Sequence, residues 1–400
     1  MIAPPPVNAS ASNANTSLPP LWPALIGMTA LQALVSLAQF SPGVLAPKLG
    51  FGVWEVSLFT TTFCAVGMAT SLYGGQLART IGPCRVAMLC ALAVICGMTF
   101  ASLGGTLALL VAGIFIGMAF GPETPASSTL LSKLATPSQR PLIFSIRQTG
   151  NQIGAMAGSV ALPLIALWKP EAGFWLIAAL AVVAVFVFAK MSARFDPVAR
   201  GEGRSLDLRS AGTMVWRHPG LRALAFLSLP FASMQLGLNA YLVTFGVERL
   251  GLDHVAAGVL LAVAQFGGLA GRLFWGLVAV KLMPSRALLA GLGFGMSAAA
   301  VIMGLAGPHL GYPVLVSAAF LFGLTASGWN GVFLAEVARL APPDRVAEAT
   351  GAVLTASYAG LLIGPAIVAT AAWAGTLSLS YVVLAVLALL ATLQLLRSPP

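Results

Sequence analysis

Charge is what this chain has least of. Of its 400 residues only 8% are Asp, Glu, Lys or Arg while 58% are hydrophobic, where soluble domains carry about a quarter charged. That balance excludes a soluble protein and predicts a polytopic α-helical membrane protein. The excess of 21 basic over 11 acidic residues gives a formal charge of +10. It does not make a nucleic-acid binder, because the basic residues sit singly between apolar runs instead of forming a patch on a folded domain. Cysteine is as sparse: Cys64, Cys84, Cys90 and Cys96 lie in or beside apolar stretches, without CxxC spacing, and read as small packing residues. His218, His254 and His309 fall in connecting loops and form no ligand cluster. No P-loop, HExxH, GxSxG or pair of intramembrane aspartates is present, so ATP hydrolysis and intramembrane catalysis have no machinery. No catalytic residue, metal or cofactor is expected. Residues 1–20 contain no charge and lack the basic start of a secretory signal. They read as a disordered tail.

What the chain has is long apolar runs. A bilayer needs about 20 such residues per helix. By that rule there are twelve spans, near 22–46, 54–78, 85–103, 106–131, 142–167, 172–190, 221–246, 255–280, 286–306, 312–337, 349–373 and 377–396. Only 191–220 is long and polar enough to divide them. The expected organisation is a tail at 1–20, a six-helix bundle at 21–190, a cytoplasmic linker at 191–220 and a second bundle at 221–396. With both termini cytoplasmic, 16 Lys and Arg residues fall in inside segments and 3 (Lys48, Lys169, Arg249) outside. The positive-inside rule therefore fixes that orientation.

The halves repeat. GQLARTIGPCR at 75–85 and GLVAVKLMPSR at 276–286 share Gly, Ala, Pro and Arg in register, 201 positions apart. At the same offset Lys48-Leu49-Gly50 matches Arg249-Leu250-Gly251. Transporters built from such repeats bind their solutes near the midplane between them. Over residues 21–396 the chain resembles the major facilitator superfamily. Gly75 and Gly82 match its signature Gly-x-x-x-Asp-(Arg/Lys)-x-Gly-(Arg/Lys)-(Arg/Lys), but Arg79 stands where the acid belongs and Val280 stands at the counterpart after span eight. The resemblance implies twelve helices in two pseudo-symmetric bundles, spans one, four, seven and ten lining a central cavity, and spans five and eight meeting between the halves.

Two opposite charges stand inside otherwise lipid-soluble segments, and such residues usually line a water-filled path or pair with each other. Glu123, between Pro122 and Pro125 in span four, is a candidate proton carrier, substrate contact or structural partner. Arg147 in span five is a fork for a substrate anion or the permanent partner of Glu123. Gln148 and Asn151 extend the polar face of span five. Arg272 in span eight is the second embedded cation, and Glu336 at the inner end of span ten is its expected partner in a gating or structural ion pair. Trp329 and Asn330 in span ten supply a ring and an amide for a solute. Gln32 and Gln39 in span one, with Gln235 and Asn239 in span seven, complete the polar inventory, each equally readable as a helix–helix hydrogen bond. Gly150, Gly154 and Gly158 in span five, with Gly267 and Gly271 in span eight, are expected to pack the halves together.

These residues describe a monomeric secondary transporter of a bacterial inner membrane, driven by protons. Two embedded cations against Glu123 favour an anionic or zwitterionic small organic solute. The alternatives are an exporter of drugs or lipophilic cations, with Glu123 as counter-charge, and a non-transporting receptor on the same scaffold.

Overall fold

A computed structural model describes residues 19–398 except 52, 200–207, 307–309 and 375–376. The 1–20 tail and the middle of the linker fall largely outside the described residues. Among those described there are fourteen helices and no strand. Six make the first bundle: α1 (Leu21–Leu49), α2 (Val53–Thr80), α3 (Pro83–Ser102), α4 (Thr106–Leu134), α5 (Arg140–Ile165) and α6 (Ala172–Ala199). The second contains α8 (Pro219–Glu248), α9 (His254–Lys281), α10 (Ser285–Leu305), α11 (Tyr312–Ala326), α12 (Asn330–Leu340), α13 (Val346–Ala374) and α14 (Leu377–Arg397). The short α7 (Leu208–Arg217) lies between them and packs on α2, α8 and α13. Eleven spans among the described residues are long and apolar enough to cross a membrane, α11 and α12 counting as one. The twelfth is α5, which has the length but too many polar residues on one face.

Hydrocarbon cannot drive helices together by excluding water, so close backbone approach has to hold them. Gly113, Gly117 and Gly121 give α4 a face on which α2 lies, with Phe59, Phe63 and Gly67 carbonyls against it. Gly150 and Gly154 of α5 sit on the Thr29 and Ala33 carbonyls of α1, and Gly158 meets Leu37. In the second bundle Gly267 and Gly271 of α9 rest on Phe320 and Leu324 of α11, while Gly360 of α13 meets Leu229 of α8. The five glycines expected between the halves therefore act inside them. Periodicity had shown the small face of each helix, and that face belongs to a neighbour in its own bundle. Both bundles use one pairing scheme, first span on fifth, second on fourth and third on sixth. The repeat seen in the turns is thus a repeat of packing.

The seam between halves uses other residues, arranged about the same pseudo-two-fold. Helices α2 and α13 cross where Gly75 lies on the backbone of Ala347, and Ser71 Oγ donates to Gly351 O at 3.2 Å. Helix α5 meets α9 and α12 where Gly276 and Gly331 close on Ser145. These contacts lie on the side of the basic turns. There Arg79 Nη1 meets Glu348 Oε1 at 2.5 Å, and Arg345 Nε reaches Glu348 Oε2 at 2.6 Å. Arg79, standing where the family signature has an acid, thus finds its acid on the opposite half. On the same side Asp196 of α6 accepts from Cys84 N at 2.8 Å and caps α3.

Two measurements check this packing. A Cβ on Gly154 would overlap the Ala33 carbonyl, whereas one on Gly291 meets nothing within 4 Å. Gly154→Ala should lower the melting temperature by an amount matching about 1–3 kcal/mol of overpacking. Gly291→Ala, which gains helix propensity, should not lower it. A double-mutant cycle with Arg79→Ala and Glu348→Ala should return a coupling energy of about 0.5–3 kcal/mol. Additive losses would mean that the pair does not join the halves.

Candidate functional site

The turn at 135–139 reverses the chain, so Glu123 of α4 and Arg147 of α5 come to similar heights on neighbouring helices. Arg147 is 0% and Glu123 2% exposed. Arg147 Nη2 donates to Glu123 Oε1. Thr124 Oγ1 accepts from Arg147 Nη1 at 3.1 Å and donates to Glu123 Oε2 at 3.0 Å, so both carboxylate oxygens are engaged. Arg147 Nη1 also reaches Gln148 Oε1 at 3.2 Å, and that oxygen accepts from Gln32 Nε2 of α1. One turn further, Ser36 Oγ donates to Asn151 Oδ1 at 2.6 Å. A single network therefore ties α1, α4 and α5. Of the two readings open for Arg147, the structure shows the pair with Glu123.

The second half contributes a broken helix. Span ten, expected to be continuous, stops at Ala326 and restarts at Asn330, with Ser327, Gly328 and Trp329 between. Irregular backbone at membrane depth is tolerated only where protein or a cavity satisfies it. Here Ser327 N donates to Gly323 O at 3.0 Å, and the Leu324 carbonyl takes Trp275 Nε1 at 2.8 Å. Gly328 is required because any Cβ would strike Leu324 O and the Trp275 ring. Beyond the break Asn330 Nδ2 donates to Gln235 Oε1 of α8 at 3.2 Å. Trp329 does not present a ring to a solute. It is buried in the bundle core, edge-on to Phe231 at 5.4 Å and Phe333 at 5.0 Å.

Arg272 of α9 does not pair with Glu336. Glu336 is held by Arg339 on its own helix, with Nη2–Oε1 at 2.8 Å and Nε–Oε2 at 2.9 Å. An acid and an arginine three residues apart meet without any helix having to move, and Arg272 faces another neighbour. Its Nη1 donates across the seam to the backbone carbonyl of Gln148. Beside it Gln152 Nε2 of α5 donates to Gln265 Oε1 of α9 at 2.8 Å. Thr124, Ser36 and Gln265 were not singled out from the sequence. Only Gln265, an isolated amide within an apolar span, carried a signal. Gln39 Oε1 and Asn239 Oδ1 have no partner and stand apart from these networks.

The fold agrees with comparisons to other proteins. A family model for the Major Facilitator Superfamily matches residues 21–365. The chain belongs to the Major Facilitator Superfamily. It is accordingly a multi-pass membrane protein of a transporter family. An uncharacterized MFS-type transporter of Mycobacterium tuberculosis is 27% identical over 173 residues, which are 41% of this chain and 37% of the relative. The match thus spans little more than a third of that protein's length. The E. coli fucose:proton symporter has the same fold, with TM-score 0.74 and 15% identity over 94% of this chain and 98% of its own. The human organic anion transporter MFSD10 gives 0.72 and 17% over 94% and 100%. A bacterial homologue of the iron transporter ferroportin, in an outward-facing state, gives 0.76 and 16% over 94% and 98%.

The pair of Glu123 and Arg147 should dominate local stability. Arg147→Met leaves a carboxylate buried without its cation and should destabilise by about 3–5 kcal/mol. Adding Glu123→Gln should recover part of that loss in thermal unfolding. A double variant as unstable as the single one would show that Arg147 acts by packing alone.

Proposed function

We propose that this chain is a proton-coupled secondary transporter that moves a small organic anion across a bacterial inner membrane by alternating access. The observation that carries the reading is the charge balance buried at the seam. Two guanidinium groups, Arg147 and Arg272, lie close enough to repel, and one carboxylate stands against them. Such an imbalance in a low dielectric favours an anion beside it. With the basic turns cytoplasmic, closure at Gly75, Ser145 and the Arg79–Glu348 pair makes the present conformation outward-facing. A lipophilic-cation exporter would need Glu123 as a counter-charge, and Glu123 is occupied by Arg147.

Proton coupling is assigned to Glu123. Arg147 is its ion-pair partner in this conformation, and a buried carboxyl is the kind of group that relays protons in pumps and transporters. Cys90 of α3 and Tyr358 of α13 lie within electrostatic reach of Glu123.

Proteoliposomes with an imposed pH gradient test the reading. The wild type should accumulate a labelled small carboxylate from a mixed panel. Glu123→Gln should lose accumulation while keeping exchange of that solute across the membrane. Unchanged accumulation by Glu123→Gln would remove the proton role. Accumulation of lipophilic cations in place of carboxylates would overturn the proposed class of solute.

A further inference from the structure

We propose that Arg272 is the docking point for the carboxylate of the transported solute, with Ser145 and Ser327 beside it; this rests on the anion reading above and names its site. Four observations converge on Arg272. The first is charge. Among the described residues every other buried charged group has an opposite charge in reach: Glu123 has Arg147, Glu336 has Arg339, and Asp196 has Arg85 at 3.9 Å. Arg272, 1% exposed, has only the neutral Gln148 carbonyl.

The second is the shape of what is left. The guanidinium spends Nη1 on that carbonyl, while Nε and Nη2 have no partner. Covalent geometry places the Nε–H and the neighbouring Nη2–H on one edge, pointing the same way. That edge is the one that takes the two oxygens of a planar carboxylate in parallel bonds. A spherical ion would use the fork less well.

The third is the surroundings. Gly268, Arg272 and Gly276 follow at intervals of one turn on a single face of α9. Ser327, in the break of span ten, lies against Gly268, and Ser145 of α5 lies against Gly276. Both hydroxyls are buried and unpartnered. The serine side chains fill the space that the two glycines leave, one turn of α9 to either side of the covered guanidinium. The serines come from opposite halves, so a bound carboxylate would register whether the halves are together at this level.

The fourth is the internal symmetry. At the repeat offset of 201 residues Arg272 corresponds to Ser71. Ser71 Oγ donates to Gly351 O of α13, and Arg272 Nη1 donates to Gln148 O of α5, an analogous side-chain-to-backbone bond across the mirrored crossing. A neutral hydroxyl is therefore enough to tie one crossing. The cation at the other is surplus to that task and needs a separate reason.

The test uses the full chain purified in detergent at low ionic strength. Sodium lactate, benzoate and succinate are each compared with the neutral amide, by thermal shift and titration calorimetry, because a ligand of the folded state raises the melting temperature. The acids should stabilise the wild type and the amides should not. Arg272→Gln should weaken acid binding at least tenfold, and Arg272→Lys, which keeps charge but loses the fork, severalfold. Arg147→Lys should change it less than twofold. Acid binding by both Arg272 variants at wild-type strength would overturn the assignment while leaving the anion reading intact. Failure of the wild type to bind or accumulate any acid would remove both. If Arg272→Gln elutes as aggregate, Arg272→Lys decides alone, with undiminished affinity as the overturning result. Sodium chloride stabilising as strongly as the acids would equally overturn it, since a fork for two oxygens should prefer them.

Discussion

A carboxylate removed from water must keep its cation, and in this protein that demand fixes more than two side chains. Glu123 and Arg147 lie on consecutive antiparallel helices, so the bond between them sets the register of α4 against α5. Thr124 completes the second carboxylate oxygen, and Gln148 passes the arrangement to Gln32 on α1. Losing one member leaves an uncompensated charge, which is far more damaging than losing a neutral contact. The network therefore restrains three helices of the first half as one body, and the second half has only hydrogen bonds and apolar packing at the matching place.

That asymmetry sits on a scaffold that is otherwise closely duplicated. Glycine faces bring first spans onto fifth and second onto fourth in both halves, with carbonyls of one helix against the bare backbone of the next. Chemistry has been added to the duplicate unevenly. The first half holds the ion pair, and the second holds the broken span ten and the lone guanidinium of Arg272.

Much of this was legible in the residues themselves. The number of spans follows from apolar length, and the repeat from Gly75, Pro83 and Arg85 recurring as Gly276, Pro284 and Arg286. Glu123 and Arg147 announced themselves as charges within apolar runs. What spacing could not supply was the identity of neighbours. The small faces at Gly150, Gly154 and Gly158 were evident, yet only the fold shows that α1 lies on them. Glu336 was matched to Arg272 by height in the membrane, while Arg339 was already within reach on its own helix. The break at Ser327-Gly328-Trp329 brings Gly328 against Trp275 of α9, a neighbour that no linear pattern names.

The seam itself is made of very little. Where the halves cross, glycine lies on backbone at Gly75 and Ala347 and at Gly331 and Ser145. Bare backbone surfaces of that kind separate without interdigitated side chains, and the carbonyls they release are ones that entering water can take up. What would have to be broken on parting them is a small set of side-chain bonds that bridge the halves, among them Arg79 to Glu348, Arg272 to Gln148 and Gln152 to Gln265.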